Sequence, residues 1–80
     1  MRFDVALFEL RIFKSRSQAT AAIQSGTAVL NGQVVKPSHT VRPGDRVALR
    51  GETPRTLEIL ELPGRALAKS AARALVRELP

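Results

Sequence analysis

The chain of 80 residues has no cysteine, no tryptophan and no tyrosine, and it contains a single histidine and a single methionine. Without cysteine, neither a disulfide framework nor a thiolate metal site can form. No apolar run approaches the ~20 residues that span a bilayer, and Asp4 comes too early for a signal or transit peptide. We therefore expect a soluble, cytoplasmic protein that holds no metal and no cofactor.

A catalytic centre is equally hard to find. His39 stands alone in a Ser-His-Thr turn, with no cysteine to activate and no obvious carboxylate partner. Glu58 and Glu61 are three residues apart in a predicted strand, so their side chains point to opposite faces. Neither standard spacing of a glycine-rich phosphate loop is present. The sequence therefore predicts no catalytic residues and no enzyme activity.

Positive charge is the most prominent global feature of the chain. Thirteen Lys and Arg residues oppose seven Asp and Glu residues, for a net charge of +6, and most of the cations are arginine. The guanidinium group presents a planar fork of donors that matches phosphate. A small, arginine-rich basic domain is typical of proteins that bind a polyanion, and nucleic acid is the leading candidate.

Two short helices are predicted at the N-terminus. The first spans residues 4–11, is apolar on most sides, and has Asp4 as its candidate cap. The second begins at a capping box, with Ser15 at the N-cap and Gln18 three residues later. It ends at Gly26, where a left-handed residue suits the helix terminus.

Short strands and a final helix complete the predicted order α-α-β-β-β-β-α, an α+β domain. Asn31-Gly32 is a strong signal for a two-residue hairpin turn, and Pro43-Gly44-Asp45 marks a second turn. The predicted strands are Thr27–Leu30, Gln33–Lys36, Arg46–Leu49 and Thr56–Leu62. Apolar residues at helical spacing then predict a helix from Arg65 to Leu79.

Two groups of cations are candidates for phosphate binding. Lys14 and Arg16 flank the N-cap of the second helix, where free N–H groups and the helix dipole already favour an anion. Arg2 joins them if the two helices pack antiparallel. In the predicted last helix, Arg65, Lys69, Arg73 and Arg77 repeat every four residues and form a basic stripe along one side. A stripe of this kind follows a nucleic-acid backbone or an acidic protein surface, but it is equally typical of a solvated helix face.

A series of short motifs appears along the first two thirds of the chain: Arg2-Phe3-Asp4, Phe13-Lys14-Ser15-Arg16-Ser17-Gln18-Ala19, Ile23, Gly26, Val29-Leu30-Asn31-Gly32, Lys36-Pro37-Ser38 and Val41-Arg42-Pro43-Gly44-Asp45. Together they cover residues 2–49 and resemble the S-four RNA-binding domain. The resemblance implies two N-terminal helices packed on a small antiparallel sheet, here followed by a C-terminal helix. We expect residues 1–50 to form this domain and residues 51–80 to extend it with a strand and the basic helix.

The resemblance also implies where RNA is bound. In this family the two helices and the adjoining hairpin edge face the RNA, which assigns Arg2, Lys14, Ser15, Arg16, Gln18 and Lys36 to the binding surface. Family members often carry further cations along the second helix, whereas this chain has Thr20, Ala21 and Gln24 there. We expect the stripe in the last helix to compensate.

The layout is similar to the stand-alone members heat-shock protein fifteen and ribosome quality control protein P. This similarity implies binding of structured ribosomal RNA on the large ribosomal subunit, with tRNA as a further contact, in the rescue of subunits that carry peptidyl-tRNA. The alternative is the RNA-docking domain, or a partner, of an RNA-modifying enzyme such as a pseudouridine synthase. A third hypothesis is a protein-interaction role through Leu67, Ala71, Leu75 and Leu79. We expect a monomer that does not bind membranes.

Overall fold

The computed structural model describes residues 1–62 and 75–80 of the chain. Two helices, α1 (Phe3–Glu9) and α2 (Arg16–Gln24), precede four strands: β1 (Ala28–Leu30), β2 (Arg46–Leu49), β3 (Arg55–Ile59) and β4 (Val76–Leu79). The strands form one antiparallel sheet in the order β1-β2-β3-β4. The predicted α+β class, with two N-terminal helices and a small antiparallel sheet, is confirmed. In the described part of the chain, no helix has both the length and the apolar character needed to cross a membrane.

Helix α1 is short and largely buried. Phe3, Ala6 and Leu7 are fully buried, as expected for a helix that is apolar on most sides. The N-cap is Arg2, which has extended backbone geometry and makes no side-chain cap. Asp4, which the sequence suggests as the cap, lies instead in the first turn, where its carboxylate accepts a hydrogen bond from the Val5 N–H.

Helix α2 begins and ends where the sequence predicts. The Ser15 hydroxyl accepts a hydrogen bond from the Gln18 N–H at 3.1 Å, as a capping residue should. The Gln18 side chain reaches back to the Lys14 N–H at 3.2 Å, one residue before the N-cap. At the other end, Gly26 has a φ of 79°, which only glycine adopts at little cost.

The hairpin turn at Asn31-Gly32 is present, but the strand predicted after it is not. Both turn residues have positive φ, and Leu30 and Gln33 exchange two backbone hydrogen bonds of 2.9 Å. Pairing stops at this isolated bridge, so the strand predicted at Gln33–Lys36 is wrong. Strand β1 pairs with β2 instead. The segment after Gln33 runs to the N-terminus, where the Phe3 N–H donates to the His39 carbonyl at 2.8 Å.

The C-terminal residues form a strand where the sequence predicts the end of a helix. Strand β4 pairs with β3 along Val76–Leu79, so the helix predicted at 65–79 is wrong over these residues. Its preceding part, 65–74, lies outside the described residues. Strand β3 spans Arg55–Ile59, which is shorter than the predicted Thr56–Leu62 at its C-terminal end. Pairing with β4 provides hydrogen-bond partners for the backbone N–H and C=O groups along one edge of β3.

One hydrophobic core joins the helices to the inner face of the sheet. Phe3 and Leu7 from α1 and Ile23 from α2 are fully buried together with Val47 and Ile59 from the sheet. Ala19 and Ala22 of α2 are also buried, so this helix turns a narrow apolar face toward the core. The core therefore fixes α1 and α2 side by side and leaves the opposite face of α2 to solvent.

Candidate nucleic-acid interface

Arg2 and Asp4 form an ion pair at the start of α1. The Arg2 Nε donates to Asp4 Oδ1 at 3.1 Å, and Arg2 Nη2 donates to Asp4 Oδ2 at 3.0 Å. Asp4 is buried, whereas 52% of the Arg2 side chain is exposed. The Thr20 hydroxyl of α2 also donates to Asp4 Oδ2, at 3.4 Å. This carboxylate therefore ties the N-terminal arm, α1 and α2 together beneath a half-exposed guanidinium group.

The N-terminal end of α2 presents two exposed cations. Lys14 and Arg16 lie on either side of the N-cap residue, and both are exposed to solvent. The two polar residues predicted beside them have structural partners, because Ser15 caps the helix and Gln18 holds the Lys14 N–H. Free N–H groups in the first helical turn add a partial positive charge at the same place.

A shallow depression runs along the exposed face of α2. Its lining residues are Arg16, Ser17, Thr20, Ala21 and Gln24. Thr20, which lines this depression, also donates a hydrogen bond to Asp4, so the depression lies beside the Arg2–Asp4 pair. We call the surface formed by Arg2, Lys14, Arg16 and Thr20 the helix-face surface.

Lys36 lies on the extended segment that passes the start of α1. The Pro37 carbonyl accepts a hydrogen bond from the Asp4 N–H at 3.1 Å, and the Lys36 carbonyl accepts one from the His39 N–H at 2.9 Å. The Lys36 side chain is exposed. The fold thus brings the segment that carries Lys36 to the first turn of α1, although the two are far apart in sequence.

Few of the cations are neutralised by acids. In residues 1–62 and 75–80, ion pairs are formed by Arg2 with Asp4, by Arg55 with Glu78 and by Arg77 with Glu58. The sequence of residues 63–74 contains no acid that could pair with the others. Among the described residues, the cations without an acidic partner are Arg11, Lys14, Arg16, Lys36, Arg42, Arg46 and Arg50. Uncompensated charge is therefore available at both Lys14 and Arg16 of the helix-face surface.

Arg77, the one described member of the second predicted group of cations, does not lie on a helix. Arg77 lies on strand β4, where its guanidinium group pairs with Glu58 of β3, directly opposite in the sheet. Arg65, Lys69 and Arg73 lie outside the described residues. The spacing of four residues therefore does not place Arg77 on a helix face with the other three.

Residues that the sequence did not suggest also contribute to this region. Arg11 has a φ of 61°, and its guanidinium carbon lies 5.9 Å from the centre of the Phe8 ring. A second shallow depression is lined by Arg11, Ile12, Phe13 and Lys14. The contacts of Asp4 were also missed, although an acid at the start of a mostly apolar helix is a signal, since a buried carboxylate requires partners.

The chain is similar to known proteins both in sequence and in structure. The family model of the S4 domain matches residues 1–47. The small ribosomal subunit protein uS4 of Pelotomaculum thermopropionicum is 38% identical over 64 residues, which are 75% of this chain and 31% of that protein. The chain thus spans about a third of the length of this curated relative. The structure of heat shock protein 15 from Vibrio cholerae, described as trimeric, has a TM-score of 0.91 and 32% identity, and the match covers 99% of this chain and 81% of the other.

Proposed function

Because this chain belongs to the S4 domain family of RNA-binding proteins, we propose that its helix-face surface binds structured ribosomal RNA on the large ribosomal subunit. We further propose that it acts in the rescue or recycling of stalled subunits that carry peptidyl-tRNA, with the tRNA as a second contact. It acts in the cytoplasm as a binding protein and not as an enzyme.

The observation that carries this proposal is the extent of the similarity to heat shock protein 15. That similarity covers 99% of the chain, including β3 and β4, whereas the family model stops at residue 47. The chain is therefore similar to that protein along nearly its whole length. The resemblance to stand-alone members of the family supports a role on the large subunit.

The charges of the helix-face surface support RNA as the ligand. Lys14 and Arg16 have no acidic partner in the described residues, and both lie at the N-terminal end of α2. Cations at this end destabilise a helix unless an anion is bound beside them. Phosphate contacts supply most of the affinity of such proteins for nucleic acid. Phe8 and Phe13 are partly buried beside the core, so recognition rests on phosphates and RNA shape more than on base stacking.

Sedimentation of the tagged protein with ribosomes in a sucrose gradient tests the proposal. We expect comigration with free large subunits at low and moderate salt, with enrichment of the subunits that carry peptidyl-tRNA. A variant with Lys14→Ala and Arg16→Ala serves as the control and should shift toward the top of the gradient. Protein that stays at the top at both salt concentrations, or migrates with small subunits, would contradict the proposal.

The oligomeric state is tested separately. We propose the monomer as the RNA-binding form, whereas the solved neighbour is described as trimeric. Sedimentation velocity of the isolated protein at several concentrations distinguishes the two forms. A sedimentation coefficient that rises with concentration toward that of a trimer would contradict the monomer.

A further inference from the structure

We propose that Asp4 is a positioning residue for RNA binding, which holds one edge of the Arg2 guanidinium group so that its terminal edge receives an RNA phosphate. The inference rests on the proposed function, since it concerns the same surface and the same ligand. It assigns a binding role to a buried acid, which has the wrong charge to contact RNA itself.

The burial of Asp4 is the first observation. Only 2% of this residue is exposed, although it is an acid in the first turn of a mostly apolar helix. Acids are rarely buried to this extent without charged or hydrogen-bonding partners. An exposed acid at this position would serve the helix dipole equally well, so the dipole alone does not account for the burial.

The carboxylate of Asp4 is fully occupied by donors from three parts of the chain. Oδ1 accepts from Arg2 Nε at 3.1 Å and from the Val5 N–H at 2.7 Å. Oδ2 accepts from Arg2 Nη2 at 3.0 Å and from the Thr20 hydroxyl at 3.4 Å. With both oxygens held in this way, the carboxylate cannot rotate, and the guanidinium group bound to it takes one orientation.

The same contacts determine which edge of Arg2 stays free. Asp4 occupies the edge formed by Nε and Nη2, which leaves the terminal edge, formed by Nη1 and the second N–H of Nη2. Two parallel N–H groups on that edge match two oxygens of a phosphate. The Arg2 side chain is 52% exposed, and the arm that carries it is fixed by the bridge between Arg2 and Thr40.

Binding governed by total charge alone makes the opposite prediction for one variant. Asp4→Asn removes a negative charge and makes the protein more basic than its present net charge of +6. If the total charge alone governs binding, this variant binds RNA more tightly. If Asp4 orients Arg2, the variant binds less tightly despite its higher charge, by about 10-fold for the loss of one well-placed charged contact.

Fluorescence anisotropy with labelled large-subunit ribosomal RNA, transcribed in vitro, measures this difference. Arg2→Lys keeps the positive charge but lacks the planar pair of N–H donors, and we expect it to weaken RNA binding to a similar degree. In the double variant, Asp4→Asn should cause little further loss, because the group it positions is already absent. Circular dichroism establishes that each variant is folded at the assay temperature.

Loss of stability is controlled by Ile23→Val, which shortens a buried side chain of α2 and leaves the helix-face surface unchanged. This variant should bind RNA as the parent protein does. If Ile23→Val weakens binding as much as Asp4→Asn does, the effect of Asp4 is one of stability and the inference is wrong.

The outcomes separate this inference from the proposed function. If Lys14→Ala with Arg16→Ala leaves the affinity unchanged, the proposed surface is wrong and the role of Asp4 falls with it. If that double variant binds weakly while Asp4→Asn binds as tightly as the parent protein, or more tightly, only the positioning role is overturned. Weaker binding by Asp4→Asn and Arg2→Lys, without additivity, supports it.

Discussion

Replacing Lys14 and Arg16 together by alanine is the most direct test of the helix-face surface. Both side chains are exposed and have no acidic partner in the described residues, so their removal breaks no ion pair. The backbone bonds that hold the start of α2 come from Ser15 and Gln18, and these remain. We therefore expect a change in RNA affinity without loss of folding.

The size of the effect follows from counterion release. Each phosphate neutralised by a cation contributes roughly 0.7 to 0.9 to the slope of the logarithm of affinity against the logarithm of salt concentration. Two lost contacts reduce that slope by roughly 1.4 to 1.8. The parent protein's affinity divided by the variant's affinity should therefore fall by about 7- to 12-fold as the salt concentration rises from about 50 mM to about 200 mM.

The assay is anisotropy of labelled ribosomal RNA over a series of salt concentrations. Arg42→Ala with Arg46→Ala is the matched control, because these arginines are also exposed and unpaired and their removal changes the net charge equally. The backbone N–H groups of both residues keep their bonds to Asp45 and Asn31. Equal losses of affinity and slope in the two double variants would refute a specific role for Lys14 and Arg16, as would no loss in either.

Four further variants, at three positions, test the local structure by thermal denaturation, in which 1 kcal/mol corresponds to a shift of about 4–8 °C for a domain of this size. Ser15→Ala removes the cap of Gln18 N–H and should lower the free energy of unfolding by about 1 kcal/mol; an unchanged Tm would contradict that role. Asn31→Ala should be more destabilising than Asn31→Gly, by about 1 kcal/mol, because both lose the bond to the Arg46 N–H but only alanine is strained at a φ of 51°; equal Tm values would show that the backbone conformation is not limiting. Arg11→Gly should raise the free energy of unfolding by about 0.5–1 kcal/mol, because it relieves a left-handed non-glycine residue after α1; a lower Tm would show that packing of the side chain against Phe8 outweighs the strain.

The interface was predictable only in part. Lys14 and Arg16 could be found because their position relative to a cap depends on a few consecutive residues. Lys36 was assigned only through the family resemblance, and its place beside α1 depends on how the segment after the hairpin crosses the domain. The contact between Asp4 and Thr20 joins residues sixteen apart in sequence, and no local pattern indicates such a contact. These assignments to RNA binding remain proposals.

Local chemistry by itself determined the features that depend on a few neighbouring residues. Three such features were predictable: the Ser15 cap, the Asn31-Gly32 turn and the left-handed Gly26. A cap needs only a side-chain hydroxyl next to the free N–H groups of the first helical turn. A tight turn needs only residues that adopt a positive φ with little strain. Two N-terminal helices and an antiparallel sheet followed from the order of these signals and from the family resemblance.

Only the tertiary structure decided which strands pair and which acid is buried. The segment after Gln33 does not continue to pair with β1, which pairs with β2 instead, and it crosses to the start of α1. Val76–Leu79 forms a strand that pairs with β3, although the spacing of the apolar residues predicted a helix there. In both places the choice depends on backbone groups that lie far away in sequence and must be satisfied. Asp4 likewise gains a partner from a distant part of the chain, because α2 packs close enough for the Thr20 hydroxyl to reach its carboxylate.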